Sequence, residues 1–290
     1  LYEKPSFYGN YKVVGLKPHN QNKITQYVLY QNGFSQNGMD SSGYSIHAFT
    51  HVLVSLSELS NIGYALVLGL GAGVLPAKLS SKGFKIDAVD IDPITLDIAK
   101  NFFRYKPKNT SFFFEDARTY VKKCEKKYDL IIIDLFFADG VPEHLTTKEF
   151  YKNLDNCLND NGVVLSNSLM DFSNKLALNS VLSTFSNQFD DLHFFHAPGA
   201  EVGNLYIVAG KNGTSKRVEG LNVSLDFIPK GIKPKIIQVL RNAKKFKKED
   251  FNDQNILYDE KNQFSIIFAE ILPKYRKLVT SLIPSRILIN

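Results

Sequence analysis

Residues 65–92, ALVLGLGAGVLPAKLSSKGFKIDAVDID, constrain this chain more than any other stretch. An apolar run over 66–68 gives way to Gly69, Gly71 and Gly73, and a second apolar run ends in Asp90. The glycines let the backbone turn tightly and approach a ligand closely. Asp90 lies 21 positions after Gly69. At that offset a strand-tip carboxylate grips ribose hydroxyls in a nucleotide-binding βαβ unit. No GK[ST] follows the glycines, which excludes a phosphate-cradling P-loop.

The flanking pattern repeats the strand–helix theme. A second strand, 84–90, ends at Asp92-Pro93, with Pro93 suited to the first turn of a helix over 94–104. A third strand, 110–115, ends at Asp116-Ala117. A fourth, 128–134, carries the run LIII expected of a strand covered on both faces, and ends in Asp134. Thr146 and Glu149 have the spacing of a capping box opening a helix to about residue 158. A strand VVLSN, a helix over 176–185 and two closing strands, HFFHA and NLYIVAG, follow. This alternation predicts an α/β fold with a doubly wound Rossmann-like sheet. Residues 1–43 read as a small N-terminal β region from YKVVGL and QYVLYQ, and 44–59 as a helix. The catalytic domain is expected over 44–217. A C-terminal helical appendage over 218–290 is expected to hold helices at 236–240 and 264–282.

Composition narrows the classes. Two cysteines, Cys124 and Cys157, imply no disulfide framework and read as packing residues, so a reducing, cytoplasmic setting is the expectation. No apolar run reaches the ~18 residues of a membrane span. The chain begins with Leu rather than Met, which leaves room for an upstream piece. Eight Lys/Arg and no acid fall within 230–248, more than the whole formal net charge of +6. Only Phe246 interleaves them, which argues against a nucleic-acid partner. The stretch reads as a solvated helix face, with a membrane-proximal surface as the competing reading.

In an open α/β sheet, ligands bind beyond the carboxyl ends of the strands. Three strand-end acids around a glycine loop suit ribose hydroxyls and positive charge, so S-adenosylmethionine fits better than a dinucleotide. Asp134 could act as general base toward an amine, or could cap amides and orient its loop. Asp139 could add charge for a cationic acceptor, or serve as a turn residue. His47 and His51 have the i, i+4 spacing of a metal pair, but no third ligand and no HExxH glutamate accompany them, so no metal is expected. His193 and His196 fall on opposite faces of a strand. His144 is either a substrate contact or a surface loop residue.

Several motifs together resemble the spermidine synthase family of polyamine aminopropyltransferases, in its divergent spermidine-synthase-like branch, some of whose members are fused to membrane domains. They are SFYGNYKVV, NGFSQNGMD, LGLGAGVLP, AVDIDP, EDARTYV, YDLIIIDLF, GVPEHLTTKEFY and, near the end, ILYDEKNQF. The resemblance implies a class I S-adenosylmethionine-binding fold and a transferase of polyamine biosynthesis. It assigns Gln36, Asp90 and Asp116-Ala117 to the thioadenosine part of the cofactor, with Pro142 near its adenine; the loop Gly69, Leu70, Gly71 and Ala72, and Ile91 beside Asp90, complete the cofactor-binding candidates. It makes Asp134 the proton acceptor and places Tyr44 on the substrate side; His47, close to Tyr44 in the chain, and His144 are further substrate-side candidates. It also implies a homodimer acting on a small-molecule amine. Three departures weaken the polyamine case: Ala72 stands where the family carries an acid, Ser45 follows the site tyrosine, and Phe137 stands where a second acid is expected. The implied reaction is aminopropyl transfer from decarboxylated S-adenosylmethionine. The departures keep open methyl or other alkyl transfer from S-adenosylmethionine itself.

Overall fold

The computed structural model describes residues 1–18, 23–136, 140–211, 213–223, 225–269 and 271–282. The chain opens with β1 (Tyr2–Ser6), β2 (Gly9–Leu16), β3 (Gln26–Gln31) and β4 (Phe34–Asp40), a four-stranded antiparallel sheet in sequence order. Then come α1 (Ala48–Leu56), β5 (Tyr64–Leu68), α2 (Val74–Ser81), β6 (Lys85–Asp90), α3 (Ile94–Phe102), β7 (Thr110–Phe114), α4 (Ala117–Lys122) and β8 (Tyr128–Ile133). A 3-10 turn, Glu143–Leu145, leads to α5 (Lys148–Cys157), β9 (Leu158–Asp171), α6 (Lys175–Ser186), β10 (Asp191–Phe195) and β11 (Val202–Gly210). The C-terminal part holds α7 (Thr214–Glu219), α8 (Lys233–Arg241), β12 (Lys244–Lys245), α9 (Phe264–Phe268) and α10 (Ile271–Leu282).

The large sheet has the order β12-β10-β11-β9-β8-β5-β6-β7. The five strands β9, β8, β5, β6 and β7 run parallel, and β11 runs antiparallel to both β9 and β10. Strand order reverses at β5, whose neighbours are β6 and β8, and a ligand crevice is expected there. Alternation explains why LIII is apolar throughout. Leu66, Leu68, Ile131 and Ile133 face one core cluster, while Ala65, Val67, Leu130 and Ile132 face the other. Each such Leu or Ile, fully removed from water, contributes about 1.5–3 kcal/mol.

The N-terminal sheet does not stand apart. Its Tyr11, Val13, Leu29 and Met39 form a third cluster with Ala72, Val74, Ile94 and Ile98, which docks it on the starts of α2 and α3. The C-terminal part covers both sheet faces. Ile236 and Val239 of α8 join the cluster around α1, and Phe264, Phe268 and Ile271 join the cluster around α5 and α6.

Three local expectations are corrected. The cap of α5 is Thr147, whose hydroxyl accepts the Phe150 amide at 3.3 Å, while the Thr146 hydroxyl turns back to the Glu143 carbonyl. Glu149 accepts from the Asp259 amide instead of closing a capping box. The basic stretch is a helix followed by an edge strand rather than one helical face. Lys244 and Lys245 pair with β10, and lysines on an edge discourage further strand addition. The helix expected over 264–282 divides into α9 and α10. Among the described residues, no helix is long and apolar enough to cross a membrane.

Candidate active site

The strand ends of the parallel sheet and the N-terminal sheet enclose a pocket. Its floor is the turn after β5. Gly69, Gly71 and Gly73 adopt φ of +97°, +52° and +71°, conformations that side chains with a Cβ rarely take. A Cβ on Gly69 would lie 2.2 Å from the Asp134 carbonyl oxygen, so the ends of β5 and β8 meet here only because that position is glycine. A Cβ on Gly71 would meet nothing within 4 Å, because it would project into the pocket. Leu70 and Ala72 turn away: Leu70 packs in the cluster around α1 and α2, and Ala72 packs beneath the N-terminal sheet. Both belong to the loop through their backbone, and neither side chain lines the pocket.

Asp90, at the end of β6, accepts the Leu70 and Gly71 amides on Oδ2 at 2.8 and 3.4 Å, and the Asp92 amide on Oδ1 at 2.9 Å. It therefore shapes the glycine turn as well as lining the pocket. Burial pushes its carboxyl up, and the three amides oppose that without cancelling it. Ile91, beside it, lines the pocket and stays 39% exposed.

Asp116 caps α4 by accepting the Thr119 amide at 3.0 Å, and its other oxygen lies 3.0 Å from His144 Nε2. Burial disfavours its charged form, but His144 and Thr119 outweigh this and hold its carboxyl below the usual range. Ala117, Pro142, Leu145 and Gln36 also line the pocket.

Asp134 follows β8. Its Oδ1 accepts from Asn167 Nδ2 at 2.9 Å, and Asn167 Oδ1 accepts from Asn204 Nδ2 at 2.9 Å. Burial pushes the Asp134 carboxyl up to about 6, with the Asn167 donor pulling the other way. A carboxylate poised near neutrality suits proton acceptance.

Two substrate-side expectations fall elsewhere. Tyr44 stacks under Lys78 Nζ, 4.9 Å from its ring centre, and does not line the pocket. His47 stands at the N-terminal boundary of α1 without a side-chain capping bond, and its Nε2 lies 3.0 Å from the Ser35 hydroxyl; it too is absent from the pocket wall. Burial lowers its pKa to about 4. His51 bonds the Ser45 carbonyl at 2.8 Å, so the histidine pair is engaged locally. Ser45 is buried against Asn37 and Thr50. Asp139 and Phe137 lie outside the described residues. No group of three metal-ligating side chains occurs among the described residues.

Other pocket residues were not singled out in the sequence. Tyr8, Tyr11, Leu29 and Gln31 form the wall supplied by the N-terminal sheet. Gln31 Nε2 donates to the Tyr8 carbonyl and the Tyr11 hydroxyl, both at 3.0 Å. The Ser6 hydroxyl donates to Asp92, tying the β1–β2 turn to the start of α3. Asn167 and Asn204 were also missed. A lone amide near the carboxyl end of the apolar strand VVLSN was the available signal for Asn167.

A model of the spermine/spermidine synthase domain matches residues 49–214. The chain belongs to the spermine/spermidine synthase family. A polyamine aminopropyltransferase from Vibrio vulnificus is 33% identical over 150 residues, covering 50% of this chain and 49% of that protein. An N-terminal histidine N-methyltransferase from Emericella nidulans is 36% identical over 129 residues, covering 42% of this chain and 23% of the other. The chain thus spans about half the length, or less, of these curated relatives. A probable spermidine synthase from Corynebacterium glutamicum shares the fold, with a TM-score of 0.64 at 15% identity over 76% of this chain and 85% of that one.

Within the family frame, the pocket lies where the strand order reverses. It brings together Gln36, Gly69, Gly71, Asp90, Ile91, Asp116, Ala117, Asp134, Pro142 and His144 from the residues named in the sequence.

Proposed function

We propose that this chain is a spermidine-synthase-like transferase that moves the aminopropyl group of decarboxylated S-adenosylmethionine to an amine. The observation that carries the reading is the charge of the pocket. Asp90, Glu115, Asp116 and Asp134 line it, and no lysine or arginine does among the described residues. Such a wall suits a ligand that carries a sulfonium and an ammonium, and favours the decarboxylated cofactor over one that keeps a carboxylate. The open space above Gly71 and the exposed Ile91 fit an adenosine group lying across the turn.

Decarboxylated S-adenosylmethionine, when bound, would supply an electrophilic carbon next to a sulfonium, with methylthioadenosine, a neutral thioether, as the leaving group. The chain supplies orientation and a base. Asp90 would accept ribose hydroxyls while its amide partners hold the turn. Asp116 and His144 would border the adenosine, with Pro142 near the adenine. Asp134, held by Asn167, would take the proton that the acceptor nitrogen loses as the new N–C bond forms and the C–S bond breaks. Asp139 is proposed to add negative charge on the acceptor side. A homodimer and a cytoplasmic setting are proposed with this reading.

A second reading is methyl transfer from intact S-adenosylmethionine. It is favoured by the methyltransferase among the relatives; Ala72, where the resemblance calls for an acid, packs beneath the N-terminal sheet and borders the site through its backbone. Asp90→Ala tests the cofactor site that both readings share. Calorimetric affinity for both cofactors should fall by at least about tenfold, a loss of ~1.4 kcal/mol or more. Unchanged affinity would remove the site assignment.

A further inference from the structure

The segment 256–265, ILYDEKNQFS, lies beyond the matched domain, yet it grips a wall of the pocket. That wall is the turn Glu143–Leu145, which with Pro142 presents His144 and Leu145 to the cavity. Two successive carbonyls of the turn are held from outside. Asn262 Nδ2 donates to the Glu143 carbonyl at 2.8 Å, and Arg118 Nη1 donates to the His144 carbonyl at 2.8 Å. The Glu143 carboxylate in turn accepts the Ser265 amide at 2.9 Å. Arg118 is itself held by Asp259, which receives Nη1 on Oδ1 at 2.8 Å and Nη2 on Oδ2. A two-point contact of this kind fixes the plane of the guanidinium.

We infer that Asp259 and Asn262 are positioning residues for the cofactor, acting through the Glu143–Leu145 turn to seat His144 on Asp116. The inference rests on the reading of the pocket as an adenosine-cofactor site. Glu149 and Asp116 are the other acids that face Arg118. Without Asp259 the guanidinium keeps its Nη1 contacts with the His144 carbonyl at 2.8 Å and Thr147 Oγ1 at 3.4 Å but loses the partner that fixes its plane, so Nη2 can swing toward Asp116. It would then compete with His144 and place a cation on the wall that a cationic cofactor faces. The tail does not depend on Asp259 for its own anchorage. Leu257 and Phe264 are buried in the core, the Lys148 amide donates to the Leu257 carbonyl at 2.8 Å, and the Leu257 amide donates to Thr184 Oγ1 at 3.0 Å. The Asp259 side chain is 39% exposed, and exposed ion pairs add little to folding stability.

The test is calorimetric titration of methylthioadenosine into the wild type, Asp259→Ala, His144→Ala and the double variant, with a melting curve for each. Asp259→Ala should weaken binding about tenfold with the melting temperature nearly unchanged. In the His144→Ala background the same change should add less than about twofold, because the two residues act in one chain of contacts. Asp259→Asn, which keeps one acceptor for the guanidinium, should recover part of the affinity. If Asp259→Ala fails to fold, Asn262→Ala takes its place and should show the same dependence on His144. Wild-type affinity in the folded variant, or equal losses with and without His144, would overturn the inference. A wild type that binds no methylthioadenosine would instead refute the cofactor reading on which it stands.

Discussion

Asp134→Asn separates catalysis from folding at one atom. The amide has the shape of the carboxylate, and its oxygen can still accept from Asn167. It carries no charge and cannot take a proton. The wild-type carboxyl ionises near pH 6, against an ordinary value of 3.8, chiefly because of burial. Between those values the folded protein binds more protons at this group than the unfolded chain does. Its contribution to stability therefore falls as pH rises through the window and stays low above it. The full shift corresponds to about 3 kcal/mol. The carboxylate edge open to the pocket lowers the expectation to about 1–2 kcal/mol. At pH 8 the variant should therefore melt about 2–6 °C above the wild type. At pH 4 the two should coincide. Turnover should fall by about 10²- to 10⁴-fold, the usual cost of losing a general base. The wild-type rate should drop about tenfold per pH unit below pH 6. Scanning calorimetry at the two pH values, with a turnover assay, reads both effects. A variant no more stable at pH 8 that keeps its turnover would refute the reasoning, because Asp134 would then be neither strained nor required.

Gly71→Val should abolish cofactor binding, since its Cβ enters open pocket space at φ +52°; the backbone strain should cost about 1–3 kcal/mol. Retained affinity by calorimetry would move the cofactor off the glycine turn. His47 has the opposite sign to Asp134. Its pKa is lowered from 6.5 to about 4, so the unfolded chain binds more protons between those values and stability is lost as pH falls through them. His47→Gln should flatten that slope by about 1–2 kcal/mol in denaturant melts run from pH 7 to pH 4.5. An unchanged slope would mean that His47 is solvated.

The parts of the site that a reader of the sequence can find are those that sit at the ends of apolar runs. Gly69, Asp90, Asp116 and Asp134 each terminate a strand, and strand ends converge in a parallel sheet whatever the details of packing. Tyr8, Tyr11 and Gln31 escaped because they reach the pocket through the docking of the N-terminal sheet on the starts of α2 and α3. Nothing local to SFYGNYKVV encodes that contact. Tyr44 and His47 were drawn toward the site by resemblance, but the turn before α1 commits them elsewhere: Tyr44 to Lys78 and His47 to Ser35. The basic stretch read as one face because charge was counted without period; an asparagine at residue 242 ends the helix, and two lysines then pair along the sheet edge. The cap of α5 shifted by one residue because Thr146 and Thr147 are adjacent and equally able to accept an amide.

The identity of the transferred group is decided by the nucleoside left behind. The protein is incubated with an amine acceptor and, in separate reactions, with decarboxylated and with intact S-adenosylmethionine, and the products are separated by mass. The account predicts methylthioadenosine in step with aminopropylated amine, from the decarboxylated cofactor alone, and its loss with Asp134→Asn. S-adenosylhomocysteine with a methylated acceptor, from the intact cofactor, would contradict it.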